Sequence, residues 1–382
     1  MRIALFSDTS LNQINGVAVN LLKMKDYMDR KGIQYRFFVP GASSDRNVLG
    51  SIINSRSFNF LLYPECRIAL PRYDVIKKEL DRFRPDIIHL VNEFSMGLAG
   101  LKYGLGNHLP LVGSFHTNIP GYLRYYRAGF LENTAWRYMR WFHGHCLVNF
   151  CPSIDTMEEL DKRGFINPEV LENGIDTDRF SPVWRDRGVL EKYGIAESTV
   201  LLYVGRVAPE KDLDLLLDAM ELLNRSGVDC RLLVVGDGPS RKKLEARNVD
   251  NVVFAGYLTG EELLTVFASA DIFAFPSRTE TFGNVVLEAM SSGLPVAAVY
   301  GGGVRDHLLH LQNGIACEPG DCRAMADALQ RLVEDPGLRE TLGRNAREYA
   351  LTKSWNRVFD ELFESYRAIT EEWYGVDNRM TA

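Results

Sequence analysis

Residues 270–299 read ADIFAFPSRTETFGNVVLEAMSSGLPVAAV. Asp271 to Pro276 is a short apolar run with two phenylalanines, ended by Pro276 and Ser277, which suits a strand buried on both faces. A polar loop follows. From Asn284 to Met290 the apolar residues Val285, Val286, Leu287, Ala289 and Met290 fall at helical spacing, and Gly293 with Pro295 closes the helix before a second apolar run, Leu294 to Val299. Strand, loop, helix, strand is a βαβ unit, so the loop lies at the carboxyl edge of a parallel sheet, where open α/β sheets take ligands. Gly283 lets the backbone come close at the helix N-terminus. The amides near Phe282, Gly283, Asn284 and Val285 have no partner inside the helix, and such amides attract a diphosphate or sugar hydroxyls.

Two carboxylates frame this loop, Glu280 within it and Glu288 eight positions on. An acid beside a phosphate is useful only when turned to a neutral partner, and a ribose or hexose diol is one. Eight residues of continuous helix advance about 12 Å, against roughly 5–5.5 Å between the two carboxyls of a retaining glycosidase. Sugar binding fits better than paired acid chemistry, with two solvated acids as the bland alternative.

The string Thr279 to Met290, TETFGNVVLEAM, resembles the Glu, seven residues, Glu motif of the family 4 retaining glycosyltransferases. That resemblance implies the GT-B fold, an α/β architecture of two Rossmann-like doubly wound domains facing a cleft. It also implies that Glu280 holds the donor sugar and Glu288 the nucleotide ribose.

The 382 residues are enough for two domains of roughly 100–200 residues each, and 46% apolar residues fill ordinary cores. A net charge of −6 and a pI near 5.8 give no global footprint for nucleic acid, while a local basic patch can still serve an anionic membrane. No apolar run approaches the roughly 20 residues of a membrane span. Arg2 to Phe6 is too short for a signal-peptide core. The expected localisation is cytoplasmic, with a peripheral seat on the inner membrane face if the acceptor is a lipid. Six cysteines, Cys66, Cys146, Cys151, Cys230, Cys317 and Cys322, lack the paired spacing of zinc sites and read as free thiols. His143, His145 and Cys146 read as a helix-end cluster rather than metal ligands.

Arg2 to Phe6 reads as a strand and Ser7 to Asn15 as a polar loop, ending in Gly16-Val17 before a helix of about 18–30. Gly16 at this turn lets amides reach a phosphate, a plain turn being the alternative; the resemblance places the corresponding glycine near the donor diphosphate. Strands at 34–39, 86–91, 111–114 and 147–151 alternate with helices at 74–83 and 156–163, the signature of a doubly wound parallel sheet. The strand at 111–114 ends in Phe115-His116-Thr117-Asn118. A histidine at the carboxyl edge can donate or accept near neutrality, and the resemblance makes His116 the active-site histidine that contacts the sugar.

Tyr122 to His143 sets Arg124, Arg127, Arg137 and Arg140 among large aromatics. This composition suits an interfacial element at anionic lipid, and equally a helix that packs Trp136, Met139 and Phe142 inward with its arginines solvated. HTNIPGYLRYY and WRYMRWFH resemble the lipid-acting subgroup of the family, mannosyltransferases and glucosyl- or sulfoquinovosyl-diacylglycerol synthases, which favours a lipid acceptor and a membrane surface as partners.

Composition shifts at Asn173 to Pro182, and the expected domains are residues 1–180 for the acceptor, 181–352 for the nucleotide sugar, and 353–382 as a final helix on the first domain. Asp176 and Asp178 spell a DxD, but without a strand-and-metal context, in a segment that resembles the family's interdomain hinge. No metal or other cofactor is expected. In the second domain the strand 200–204 leads to Arg206 and Lys211 before a helix at about 213–223. Arginine holds a diphosphate bidentately and lysine as a point charge; the resemblance assigns this pair to the donor diphosphate, with exposed salt bridges as the alternative. Ser354 to Trp373 carries Trp355, Val358, Phe359, Leu362, Phe363 and Tyr366 at amphipathic spacing.

Together the residues and the resemblance imply a retaining hexosyltransferase that uses GDP-mannose or UDP-glucose type donors on a lipid or glycolipid hydroxyl. Catalysis falls to His116, Glu280, Arg206 and Lys211, and donor binding to Gly16, Arg206, Lys211, Phe282, Gly283, Asn284 and Glu288. A soluble sugar or polyol acceptor and a non-catalytic nucleotide-sugar-binding protein are the alternatives. A dinucleotide-dependent oxidoreductase would need a GxGxxG fingerprint, which is absent.

Overall fold

The computed structural model describes residues 1–13, 16–41, 48–49, 51–60, 63–123 and 128–380, with backbone alone at 48–49, 58–60, 63–68, 122 and 376–380. The chain divides into two units, Met1–Glu172 with Asn356–Ala382, and Asn173–Trp355.

The first unit is built on a nine-stranded sheet: β1 (Arg2–Phe6), β2 (Gln34–Gly41), β3 (Val48–Leu49), β4 (Ile52–Phe60), β5 (Tyr63–Ala69), β6 (Ile87–Leu90), β7 (Leu111–Ser114), β8 (Val148–Cys151) and β9 (Pro168–Val170). The order is β3-β4-β2-β1-β6-β7-β8-β9, with β5 on β4. Pairing is parallel except for β3 and β5, which run antiparallel to β4. Between the strands lie α1 (Gly16–Lys31), α2 (Tyr73–Phe83), α3 (Ser95–Gly106), α4 (Ile119–Tyr122), α5 (Glu132–His143) and α6 (Ile154–Lys162). β1, β6 and β7 are apolar runs buried along their length, which only a sheet covered on both faces satisfies. Phe6 stacks on Phe38 across β1 and β2, with ring centroids 4.5 Å apart.

The second unit is a six-stranded parallel sheet of β10 (Thr199–Val204), β11 (Cys230–Val235), β12 (Val252–Gly256), β13 (Ile272–Phe275), β14 (Val296–Val299) and β15 (Gly314–Cys317), in the order β12-β11-β10-β13-β14-β15. Its helices are α7 (Leu213–Arg225), α8 (Arg241–Glu245), α9 (Gly260–Ser269), α10 (Asn284–Ser291), α11 (Cys322–Glu334) and α12 (Pro336–Leu351). The strand, helix and strand expected within 270–299 are β13, α10 and β14.

The first unit ends at Glu172, eight residues before the expected boundary. The reason is local: the Phe180 carbonyl accepts from Ser291 Oγ at 2.6 Å, and Arg347 Nη1 donates to the carbonyls of Thr177, Phe180 and Ser291, which fastens 173–180 to the second unit. The last helix, α13 (Trp355–Met380), counts with the first unit from Asn356 on. There it buries Phe359, Leu362, Phe363 and Tyr366, each contributing about 1.5–3 kcal/mol by transfer from water. The Tyr366 hydroxyl bonds His89 Nδ1, whose Nε2 bonds Ser114 Oγ at 2.7 Å.

Of the aromatic and arginine stretch, Arg124 and Arg127 lie outside the described residues. In α5 the residues Trp136, Met139 and Phe142 are buried while Arg137 and Arg140 are exposed, which is the pattern of a helix packed on a core. Phe130, Leu131 and Trp141 are nevertheless exposed beside those arginines, Trp141 at 52%. His143 is buried and bonds Asn149 Oδ1 through Nδ1 at 2.7 Å, and His145 is exposed, its ring edge-on to Trp141. Cys146, Cys151, Cys230, Cys317 and Cys322 are free thiols, and the Cys66 side chain lies outside the described set. Among the described residues no helix is long and apolar enough to cross a membrane.

Candidate functional site

β10 lies between β11 and β13, so the chain leaves it toward one side and returns on the other. At such a switch point the loops after the two central strands part and leave a crevice. The two loops here are Gly205–Asp212 and Pro276–Gly283. They are tied together across 69 positions of sequence: Lys211 Nζ donates to Glu280 Oε1 at 2.5 Å, and Thr279 Oγ1 donates to the Glu210 carbonyl at 3.1 Å. Arg278 Nε stands 3.3 Å from the Asp212 carboxylate. Ser277 Oγ also donates to Glu280 Oε1, at 2.6 Å. Arg206 pairs with the buried Glu210, and the Arg206 carbonyl accepts from the Tyr203 hydroxyl at 3.0 Å.

Burial opposes ionisation of Glu280, but the charge and hydrogen bond of Lys211, then the Ser277 hydroxyl and the charge of Arg206, outweigh it and hold the carboxyl below its ordinary range. Glu288, half-buried in the second turn of α10, is shifted the other way. Burial pushes its carboxyl up to about 7, with the charge of Arg179 opposing, and that carboxyl makes no hydrogen bond to another described residue. One acid is thus a fixed carboxylate and the other titrates near neutrality.

Gly283 is the N-cap of α10 at φ 87°, and neither a side-chain cap nor an acid in the first turn occupies the helix's leading amides. Asn284 Oδ1 accepts from the buried Asn173 Nδ2 at 3.0 Å, which fixes the first residue of α10. The Phe282 ring is buried, its centroid 4.2 Å from that of His307, so Phe282 offers a ligand its backbone alone. Behind the loop, the Gly303 amide donates to the Glu280 carbonyl at 2.7 Å.

Gly16 and His116 belong to the first unit. Gly16 is exposed and is the first residue of α1, so it opens the helix instead of closing the loop before it. His116 is half-buried beyond β7; burial, then the charge of His143, pushes its imidazole down to about 4. A neutral ring at physiological pH donates from one nitrogen and accepts at the other.

Sequence reasoning missed Ser277 and Glu210, which orient Glu280 and Arg206, and Asp8, Asn92 and Glu93 in the first unit. The Asn92 carboxamide oxygen accepts from Ser7 Oγ at 2.7 Å and from the Asp8 amide at 3.1 Å. Position alone could have found Asp8 and Glu93, since both follow a buried strand within three residues. Of the DxD pair, Asp176 Oδ1 accepts from the Arg179 amide at 3.0 Å, and Asp178 lies close enough to Arg347 to act on its charge. Among the described residues no group of three or more His, Cys, Asp or Glu side chains is gathered to hold a metal ion.

Residues 189–349 match the family model of the glycosyl transferases group 1, and residues 14–179 that of glycosyltransferase family 4. The chain is 30% identical to a GDP-mannose-dependent alpha-mannosyltransferase of Mycobacterium tuberculosis, over 97% of each chain. It is 33% identical to the sulfoquinovosyl transferase SQD2 of Arabidopsis thaliana, over 84% of this chain and 64% of the plant protein. With an alpha-monoglucosyldiacylglycerol synthase of Streptococcus pneumoniae it shares 28% identity over 94% of this chain and 85% of that one. Among solved structures, a sucrose-phosphate synthase of Thermosynechococcus elongatus superposes with a TM-score of 0.79 at 20% identity, over 96% of this chain and 98% of the other.

Proposed function

Since the chain belongs to the group 1, family 4 glycosyltransferases and has their GT-B fold, we propose that it moves a hexose from a nucleotide sugar to a hydroxyl of a membrane lipid or glycolipid, with retention at the anomeric carbon. The observation that carries the reading is the ion pair of Lys211 with Glu280 at the switch point, beside Arg206 and the uncapped start of α10.

As the bond from the sugar C1 to phosphate oxygen breaks, negative charge collects on the departing diphosphate. Arg206, Lys211 and the α10 amides are fixed donors and cations aimed at that charge, the largest expected catalytic contribution. Glu280 is engaged by Lys211 and Ser277 and is not poised as a nucleophile. The acceptor hydroxyl therefore adds to C1 on the face the diphosphate leaves, and its proton passes to the departing phosphate oxygen. Glu280 and neutral His116 hold the sugar hydroxyls, Glu288 the ribose, and Gly16 approaches the diphosphate. No metal is needed in this scheme. GDP-mannose and UDP-glucose type donors both fit.

A lipid acceptor is supported by the diacylglycerol named for the pneumococcal relative and by exposed Phe130, Leu131 and Trp141 beside Arg137 and Arg140. Rings of this kind rest at headgroup depth while arginines meet anionic lipid. The proposed location is the cytoplasm, peripheral on the inner membrane face. The test is nucleotide release from GDP-mannose, UDP-glucose and related donors, with and without diacylglycerol or glycolipid vesicles. Stimulation by one donor and one lipid is the expected result. Stimulation by a soluble polyol and not by vesicles would move the acceptor to the alternative class, and no release from any donor would reduce the chain to a binding protein.

Glu288 gives this scheme a pH signature. A ribose diol needs the carboxylate, and Glu288 holds a proton until about pH 7. Affinity for an intact nucleotide sugar should rise by about tenfold between pH 6 and 8, following the ionised fraction of that group. Calorimetric titration checks it; Glu288→Gln should bind more weakly with a flat profile. Stability runs oppositely: the fold keeps a proton that the unfolded chain loses above about 4.5, so Glu288 costs stability as pH rises toward 7.

A further inference from the structure

The first unit has a switch point of its own. β1 lies between β2 and β6, and Asp8 and Glu93 stand on the loops that part there, two residues past β1 and three past β6. Asp8 is fully committed. Its carboxylate accepts from Ser95 Oγ and the Met96 amide at 2.9 Å, the Phe94 amide at 3.2 Å and the Gly97 amide at 3.4 Å, which caps α3 where the N-cap residue Phe94 cannot.

Glu93 is not committed. It is only 5% exposed, and the Tyr138 hydroxyl takes its backbone carbonyl. Beyond its own amide, its carboxyl has no hydrogen-bond partner among the described residues. A buried carboxyl left so costs free energy that a ligand's hydrogen bonds would recover. Burial pushes it up to about 8, its own amide opposing and the charge of Asp8 assisting, so near neutrality it carries a proton to donate. β6 pairs with β7 in the register Leu90 to Gly113, and Glu93 and His116 stand on the loops that follow these two adjacent strands, each three residues past that pair. Their loops leave the sheet side by side, about 4.8 Å being the strand spacing.

Charge narrows the ligand. The described loop residues after β1, β6, β7, β8 and β9, namely 7–13, 91–94, 115–123, 152–153 and 171–172, include no lysine or arginine. Among these described loop residues a phosphate would meet Asp8 without a cation to offset it.

We propose that Glu93 is an acceptor-recognising residue: with His116 it holds an uncharged polyol head by one donated and one accepted hydrogen bond, and this edge disfavours phosphate-bearing heads. The inference rests on the transferase reading. That reading is tested separately, by nucleotide release from the wild-type enzyme without acceptor. Transfer by the full chain is then measured to hexosyl-diacylglycerol vesicles, to free glycerol or hexose, and to phosphatidylinositol vesicles. The two uncharged arms separate a lipid head from a soluble polyol, and wild-type preference for phosphatidylinositol would overturn the proposal.

Glu93→Ala is expected to raise the acceptor KM by about tenfold, the worth of one well-made hydrogen bond, with a smaller change in kcat. Glu93→Gln, which keeps a donor and an acceptor in the same shape, should recover most of that loss. Equal losses in both variants, or an unchanged KM in Glu93→Ala, would defeat the proposal. Should Glu93→Ala fail to fold, the pH profile decides. Of the groups facing Glu93, burial raises the Asp8 carboxyl against the hydrogen bonds it accepts at the start of α3, Tyr138 is pushed up to about 12, and His116 is already neutral. The wild-type acceptor KM should therefore climb as pH rises through about 8, and that of Glu93→Gln should stay level; parallel profiles count against the inference.

Discussion

Lys211→Ala is expected to lower hexose transfer by about 10²–10³-fold while weakening donor affinity far less, because the charge that Lys211 answers is largest on the departing diphosphate. The same substitution should destabilise the second unit. Lys211 and Glu280 are both largely buried, at 16% and 13% side-chain exposure. Removing one partner of such a pair leaves the other as an uncompensated charge, at a cost of about 3–5 kcal/mol. The two effects separate in Lys211→Ala/Glu280→Gln, where the neutral amide no longer needs the cation: much of the stability should return and none of the turnover.

The pH dependence has a fixed sign. Glu280 is depressed in the fold, so its contribution is complete above its unfolded value near 4.5 and is lost as pH falls through the lower folded value. In Lys211→Ala burial acts on Glu280 with its main opponent gone and its pKa rises. The stability gap between wild type and variant should therefore be wide at neutral pH and close in acid. Denaturant melts from pH 3 to 8 with parallel single-turnover rates check this; a variant of wild-type turnover would remove Lys211 from the mechanism.

Why that pair escaped the sequence shows what a sequence can carry. Arg206, Lys211, Glu280 and Glu288 were each marked by residue type and by position beside a strand end, which local periodicity reveals. Their mutual geometry was not, since only the sheet order β10-β13 brings residues 69 apart into one hydrogen bond. The apolar runs of β1, β7, β10, β13 and β14 were equally legible, because strands buried on both faces cannot hide their composition. Helix α3 was hidden for the opposite reason. Its sequence SMGLAGLKYGLG has four glycines, residues that ordinarily argue against a helix, and three of them lie where a side chain would collide with its neighbours. Added Cβ atoms would lie 1.9 Å from the Asn92 carbonyl at Gly97, 2.6 Å from Phe6 at Gly100 and 2.4 Å from Leu111 at Gly104. Close packing requires what propensity penalises, and the capping role of Asp8, which comes from another loop, was hidden with it. The antiparallel strands β3 and β5 depend on pairing with β4 rather than on any pattern of their own.

Gly302→Ala should damage the donor site without touching a charged residue. Gly302 has φ +55°, which costs a residue with a Cβ about 1–2 kcal/mol. The added Cβ would also lie 2.3 Å from the Glu280 carbonyl oxygen and 3.0 Å from its amide, and backbone has no rotamer by which to escape. The neighbouring Gly303 amide is bonded to that same carbonyl, so the 301–303 turn cannot withdraw without breaking the bond. The strain must pass into the loop that carries Glu280, whose side chain is held at a single oxygen by Lys211 and Ser277. A misplacement of about 1 Å can cost about 100-fold in rate, and that is the expected loss in kcat/KM. The melting temperature should fall by about 2–4 °C for each kcal/mol lost. Gly320→Ala is the control: Gly320 has a similar φ of +79°, but its added Cβ meets nothing within 4 Å. It should show the conformational penalty with turnover intact. Matching losses of activity in the two variants would mean that φ strain alone is responsible; wild-type activity in Gly302→Ala would mean that the glycine turn does not set the position of Glu280.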